Sequence, residues 1–180
     1  MSLPIYKIEL GGAEGIVKMS LVDYPAVESD FIKFSKEPIK FSIQSEEEHI
    51  VFGCALRADY PIYRNEFGRE FYVIFTKDAI KELYTKFMID GCNNVNLEHS
   101  QDVNGCYLIQ SFIKDIDNGI SPKNFEDIEN GSWFVSYKIL NDAVWSKVKD
   151  GTFNGFSVEG YFDITDKIDE IDELVDSILN

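Results

Sequence analysis

Hydrophobic and polar residues alternate in short runs along most of the first 162 residues. Alternation with a period of two is typical of β-strands, because successive side chains of a strand point to opposite faces. The clearest runs are residues 49–56, 70–75, 95–99, 106–113, 133–140 and 156–162, and shorter ones occur within residues 4–43. Turn-forming residues separate the runs, so the pattern predicts many short strands.

Two segments instead have apolar residues at helical spacing. Thr76 is a predicted N-cap for a helix that runs to about Met88 and stops at Gly91. Asn141 is a predicted cap for a shorter helix that ends at Gly151. Between the two helices, residues 115–130 are polar and rich in turn-forming residues, which predicts a surface loop.

The C-terminal residues 164–180 also have helical periodicity, with acidic residues between the apolar positions. The apolar positions are Ile164, Ile168, Ile171, Leu174, Val175 and Ile178. One interpretation is a helix that docks on its own core, and the other is a helix that binds a partner or a second copy.

Together these elements predict an α+β fold, with a largely antiparallel β-barrel or strongly curved sheet surrounded by a few helices. We expect residues 1–48 to supply N-terminal strands and an acidic linker, either part of the core or packed on it. Residues 49–163 should form the core, and residues 164–180 an acidic amphipathic helix. The linker, residues 45–49, ends in His49, which we expect to be a surface residue.

Composition narrows the function. The 180-residue chain has 32 acidic and 17 basic residues, a net charge of −15, which disfavours binding to nucleic-acid phosphates. No apolar run approaches the ~20 residues of a membrane helix, so no membrane partner is expected. Residues 1–10 lack the features of a signal peptide, and the cytoplasm is the expected location.

The three cysteines, Cys54, Cys92 and Cys106, are an odd number without a C-x-x-C pair, which favours free thiols in a reducing compartment. A zinc site made by Cys92, His99 and Cys106 is an alternative. Structural zinc sites usually contain a closely spaced ligand pair, however, and this set has none. We therefore expect no metal or other cofactor.

The segment 154–162 places a serine within a strand pattern. On a strand, Ser157, Glu159 and Tyr161 share one face, which we expect to line a surface or a groove, and Phe156 and Val158 lie on the other. The segment is not the G-x-S-x-G elbow of α/β-hydrolases, because its second glycine falls one position late.

A serine hydroxyl needs a base, and the chain has only two histidines. His99 ends a predicted strand between the acidic residues Glu98 and Asp102, so it could project into a cleft beside a carboxylate. The spacing of the two residues in sequence does not decide whether the side chains of His99 and Ser157 are in contact or whether His99 is a structural histidine.

An ordered set of short segments resembles the phage prohead serine proteases of the XkdF-like group, which are distant relatives of the herpesvirus assemblins. The matching segments are residues 20–27, 62–64, 71–75, 96–99, 131–135 and 155–160. They are spread over most of residues 15–162.

The resemblance implies an endopeptidase that cleaves scaffold and capsid proteins inside the immature phage shell, within the bacterial cytoplasm, and that also cleaves itself. It further implies a compact β-barrel ringed by helices. The resemblance assigns the role of general base to His99 and that of nucleophile to Ser157.

The sequence does not identify the third catalytic residue. The assemblins use a second histidine in this role, and this chain has none after Ser157. Glu159 is the preferred candidate because it shares the strand face of Ser157. Asp163 and Asp166 are alternatives, Glu98 is less suitable because it should point away from His99, and a bare dyad is also compatible with the sequence.

A competing interpretation keeps the fold but not the catalysis. The chain would then be an inactive, capsid-associated scaffold or interaction domain that uses its acidic C-terminal helix. A homo-oligomer is compatible with either interpretation.

Overall fold

The computed structural model describes residues 3–8, 10, 15–22, 40–66, 68–91, 95–97, 101–161 and 164–168. These residues form twelve β-strands and two α-helices. The strands are β1 Ile5–Ile8, β2 Gly15–Val22, β3 Ser42–Ser45, β4 Ile50–Leu56, β5 Pro61–Glu66, β6 Arg69–Phe75, β7 Val95–Leu97, β8 Gln101–Val103, β9 Cys106–Ile113, β10 Trp133–Ile139, β11 Gly155–Tyr161 and β12 Ile164–Ile168. The helices are α1 Lys77–Asp90 and α2 Asp142–Lys149.

The strands are arranged in three four-stranded sheets, with the orders β12–β1–β6–β5, β3–β4–β10–β9 and β11–β2–β7–β8. Only the pairs β1–β6 and β2–β7 are parallel among the described strands. The predicted α+β class with mostly antiparallel pairing is therefore confirmed. The predicted barrel is not confirmed, because the hydrogen-bonded orders of the described strands leave each sheet with two ends and do not close into a ring.

The N-terminal strands are integrated with the later ones. β1 lies between β12 and β6, and β2 lies between β11 and β7. Residues 1–48 were expected either to be part of the core or to pack on it. β1 and β2 are part of the core, since they are inner strands of two sheets whose other strands come from later segments. β3 and β4 form a hairpin, so the predicted linker forms its turn, which consists of three glutamates and His49.

The prediction of a helix from residue 164 onward is wrong for its first part. Ile164–Ile168 form β12, which pairs antiparallel with β1, Ile5 opposite Ile168. Ile164 and Ile168 are four residues apart, a spacing that fits both a helix face and a strand face, and β-branched residues favour the strand. The remaining part of that prediction, residues 169–180, lies outside the described residues.

Both predicted helices are confirmed. The Thr76 side chain accepts a hydrogen bond from Ala79 N at the start of α1, and Gly91, at φ 64°, ends the helix in the left-handed conformation. Asn141 caps α2 in the same way as Thr76 caps α1, by accepting from Ala143 N and Val144 N. Neither helix is long and apolar enough to cross a membrane, as far as the described residues go.

The main core lies between the sheets and beneath the helices. Trp133, fully buried on β10, is at its centre, with Tyr84 and Phe87 of α1 packed edge-on against its ring. Phe156 of β11 contributes to the same core. The strand that carries the nucleophile candidate Ser157 is thus anchored in the main core through Phe156.

A second, smaller core lies under residues 115–130, the segment predicted as a surface loop. Phe125 and Ile128 from this segment are buried against Phe52, Phe112 and Phe134 of the sheet β3–β4–β10–β9. Much of the loop is exposed, as predicted, but it also covers part of the sheet. The sequence pattern does not predict this packing, because only two side chains of the loop, Phe125 and Ile128, are buried.

A buried lysine holds this loop in place. Lys114 is 1% exposed, and its ammonium donates hydrogen bonds to the carbonyl oxygens of Phe125 (2.9 Å), Glu126 (3.0 Å) and Ile128 (2.6 Å). An ammonium has three N–H donors, and each finds an acceptor here. Arg57 fixes the C-terminal end of the loop, because its guanidinium donates two hydrogen bonds to the Glu129 carboxylate.

Candidate active site

Strand β11 holds Ser157 through the apolar residues on either side of it. Phe156 is 3% exposed and packs against the rings of Phe41 (5.3 Å between centroids) and Tyr137 (5.6 Å). Val158 is also buried. Because these two side chains face the core, the side chain of Ser157 points to the opposite face of the sheet.

The register of the sheet β11–β2–β7–β8 defines what lies beside Ser157. Ser157 pairs with Ser20 of β2, Ser20 with Asn96 of β7, and Asn96 with Asp102 of β8. The rows on either side of this one contain the buried apolar pairs Phe156–Leu21 and Val158–Met19. The sheet therefore has an apolar face toward the core and a second face, whose register positions are polar around Ser157.

An ion pair crosses this second face. The Lys18 ammonium, on β2, lies 2.7 Å from the Asp102 carboxylate on β8, so its side chain reaches over β7. The side chains of Lys18 and Asp102 are 31% and 71% exposed. Exposed pairs of this kind contribute only about 0–1 kcal/mol, but this one confirms that Lys18 and Asp102 point to the same side of the sheet.

The side chain of Ser157 is buried, although it lies on the polar face of the sheet. Its exposed fraction is only 8%, whereas Lys18 and Asp102 on the same side of the sheet are substantially exposed. Of the two alternatives for this face, a surface or a groove, the low exposure of Ser157 favours the groove. The register of β11 and β2 also shifts between Glu159 and Gly160. Such bulges are common beside active sites, where they redirect side chains.

His99 and Glu98 lie outside the described residues, as does Asp163. The flanking residues on either side of that segment are described: Leu97 ends β7 and pairs with Gln101 at the start of β8. Leu97 also shares a register row with Leu21 and Phe156. The strands next to His99 in sequence therefore belong to the same sheet as Ser157, and β7 is two strand spacings, about 10 Å, from β11. The pairing of His99 with Ser157 stays a prediction.

The candidates for a third catalytic member have different positions in the fold. The backbone of Glu159 pairs with Lys18, two positions from Ser157 on β11. Asp166 lies on β12 and pairs with Lys7, in a different sheet from Ser157. Glu159 remains the preferred prediction because it is the one on the strand of the nucleophile.

His49, the second histidine, has a structural position. Its ring stacks on Trp145 at 4.4 Å between centroids, and its Nδ1 lies 3.2 Å from the carbonyl oxygen of Ile139. It is half-buried at the end of the β3–β4 turn rather than fully at the surface. These contacts give His49 a structural explanation within an otherwise acidic segment.

The described cysteines are poorly suited to metal binding or nucleophilic attack. Burial raises the pKa of the Cys54 thiol to about 12 and that of the Cys106 thiol to about 11. The reactive species of cysteine is the thiolate, which both sites disfavour at neutral pH. Cys92, like His99, lies outside the described residues, and the residues that are described contain no cluster able to hold a metal ion.

We expect Cys54 and Cys106 to resist alkylation in the folded protein. A pKa of about 11 rather than 9.0 lowers the thiolate fraction of Cys106 at pH 8 by about 100-fold, and the effect on Cys54 is larger. Iodoacetamide treatment at pH 8, followed by peptide mass mapping, should modify both residues only after denaturation. Rapid modification of either thiol in the native protein would contradict its burial.

Ser20 is the residue of this site that sequence patterns did not identify. The alternation of Lys18 and Ser20 with Met19 and Leu21 does indicate a polar face on β2. Nothing in the pattern, however, specifies that β2 pairs with β11, since the two strands are far apart in the chain.

Comparison with known proteins bears on the identity of the chain. The family described as "Putative phage serine protease XkdF" matches residues 39–166. A relative, "Phage-like element PBSX protein XkdF" of Bacillus subtilis (strain 168), is 24% identical over 156 residues, which cover 81% of this chain and 52% of the relative. The chain thus spans about half the length of that relative. No solved structure matches it. Because the family match extends over more than half of the chain, this protein belongs to the phage XkdF family.

Proposed function

We propose that this protein is a serine endopeptidase that cleaves scaffold and capsid proteins during maturation of a phage prohead. The observation that carries the proposal is the sheet β11–β2–β7–β8. It brings the strand that bears Ser157 together with the two strands that flank His99 in sequence. Membership of a phage serine protease family supports the same chemistry.

The proposed reaction is an acyl transfer. His99 accepts the proton of the Ser157 hydroxyl while its oxygen attacks the carbonyl carbon of the scissile peptide bond. The tetrahedral intermediate collapses as the C–N bond breaks and His99 returns the proton to the leaving amine. Water, activated by His99, then hydrolyses the acyl-enzyme. Glu159 is proposed to hold the imidazole in the required orientation.

The enclosed position of Ser157 supports this mechanism in one respect. Charges that develop in a water-poor site interact more strongly with fixed dipoles than they do in water. The proposal includes an assemblin-like arrangement of the sheets around this site and self-cleavage by the enzyme. The proposed substrates place the enzyme inside the prohead in the host cytoplasm, and a homo-oligomer there is compatible with the mechanism.

The proposal is tested by covalent labelling with a fluorophosphonate, which reacts with activated serines. We expect one phosphonyl adduct, located on Ser157 by mass spectrometry, and a loss of reaction when the protein is unfolded. His99→Ala should lower the labelling rate by at least ~100-fold, because a general base contributes that much or more.

Ser136→Ala is the matched control, since Ser136 is a fully buried serine on β10, in another sheet, and hydrogen-bonds to Gln44 and Gln110. It should label like the parent. An unlabelled folded parent would reject the protease assignment and leave the capsid-associated interaction domain as the better interpretation. An adduct on a different serine would reject Ser157 as the nucleophile.

A further inference from the structure

Ser20 lies directly across from Ser157 in the antiparallel pair β2–β11. Directly opposed residues of antiparallel strands have Cβ atoms about 4.5–5.5 Å apart and side chains on the same face. Ser20 is fully buried, at 0% exposure, and Ser157 is 8% exposed. Two hydroxyl-bearing side chains thus occupy one enclosed position of the sheet.

A serine is an unexpected residue at this point of β2. Its neighbours Met19 and Leu21 are both buried, and a fully buried strand position favours β-branched apolar residues. Burying a hydroxyl costs free energy unless it makes hydrogen bonds. Ser20 therefore places a hydrogen-bonding group on the same face of the sheet as Ser157.

We propose that Ser20 is a positioning residue for the Ser157 nucleophile. A hydroxyl both donates and accepts hydrogen bonds. While the proton of Ser157 passes to the base, the Ser20 hydroxyl donates to the Ser157 oxygen, holds its rotamer toward the substrate and stabilises its developing negative charge. No covalent bond of Ser20 forms or breaks in the reaction. This inference rests on the proposed serine chemistry, to which it adds a residue.

The closest test compares threonine with valine at position 20. The two side chains are nearly the same in shape, but only threonine has a hydroxyl. With the fluorophosphonate probe, Ser20→Val and Ser20→Ala should lower the maximal rate of Ser157 modification about 10–100-fold. The probe concentration for half-maximal rate should not change. Ser20→Thr should remain within about threefold of the parent.

A merely structural role would not produce this pattern. If Ser20 only fills space, Thr and Val should behave alike, and their labelling should follow their thermal midpoints, which are measured in parallel. Equal rates for Ser20→Thr and Ser20→Val, beside normal labelling of the parent, would overturn the role of Ser20 while leaving the protease assignment intact. Absence of labelling at Ser157 in the parent would reject the proposed function itself, and this inference with it.

Discussion

Ser157→Ala should lower the rate of scaffold-protein cleavage by about 10⁴–10⁶-fold, the range seen when the nucleophile of a serine protease is removed. The physical reason is that alanine has no oxygen to form the acyl-enzyme, so only weak electrostatic assistance to direct hydrolysis remains. The measurement is the initial rate of cleavage of the cognate scaffold, or of self-cleavage, read by mass spectrometry.

Two controls make this result specific. Ser136→Ala removes a buried hydroxyl from another sheet and should keep the parental rate after correction for folded fraction. EDTA should leave the parental rate unchanged, because the proposed chemistry uses no metal. If Ser157→Ala cleaves within a few-fold of the parent, or if EDTA stops cleavage, the serine mechanism is wrong.

Lys114→Met should lower the free energy of unfolding by about 2–6 kcal/mol, because two fully buried carbonyl groups lose their donor and each unsatisfied group costs about 1–3 kcal/mol. Methionine keeps most of the length of the side chain but leaves the buried carbonyls of Phe125 and Ile128 and the part-buried carbonyl of Glu126 without their donor. The loop 115–130 should open first, because these bonds attach it to the sheet beneath.

Urea unfolding gives the free energy of unfolding, and limited proteolysis shows whether cleavage begins within residues 115–130. Lys77→Met is the control. Lys77 is 55% exposed and pairs loosely with Asp59 at 3.6 Å, so its loss should cost less than about 1 kcal/mol. If Lys114→Met costs no more than Lys77→Met, the desolvation of the buried ammonium cancels the benefit of its three hydrogen bonds.

The parts of the fold that the sequence predicted well are those that short-range interactions determine. The Thr76 cap needs only the backbone N–H of Ala79, three residues away, and Gly91 needs only its own freedom to adopt a positive φ. Period-two alternation likewise predicted β4, β9 and β10. These signals are complete within a few residues, so no knowledge of distant partners is required.

The errors arose where distant segments decide the outcome. Ile164–Ile168 is periodic enough for either a helix or a strand, and pairing with β1 selected the strand. The three carbonyls around Lys114 come from a loop whose polar sequence gave no sign of burial. The choice between a barrel and a strongly curved sheet likewise depends on hydrogen-bond order between distant strands, and the described strands form three sheets without confirming a barrel.

The sequence by itself determined both helices, most of the strands, the net negative charge and the choice of Ser157 and His99 as candidates, because residue type and local period carry that information. Only the tertiary structure decided that β11 pairs with β2, that Ser20 faces Ser157, and that β7 and β8 complete the same sheet. Strand register depends on the burial of whole faces and on partners far apart in the chain, which no local pattern specifies.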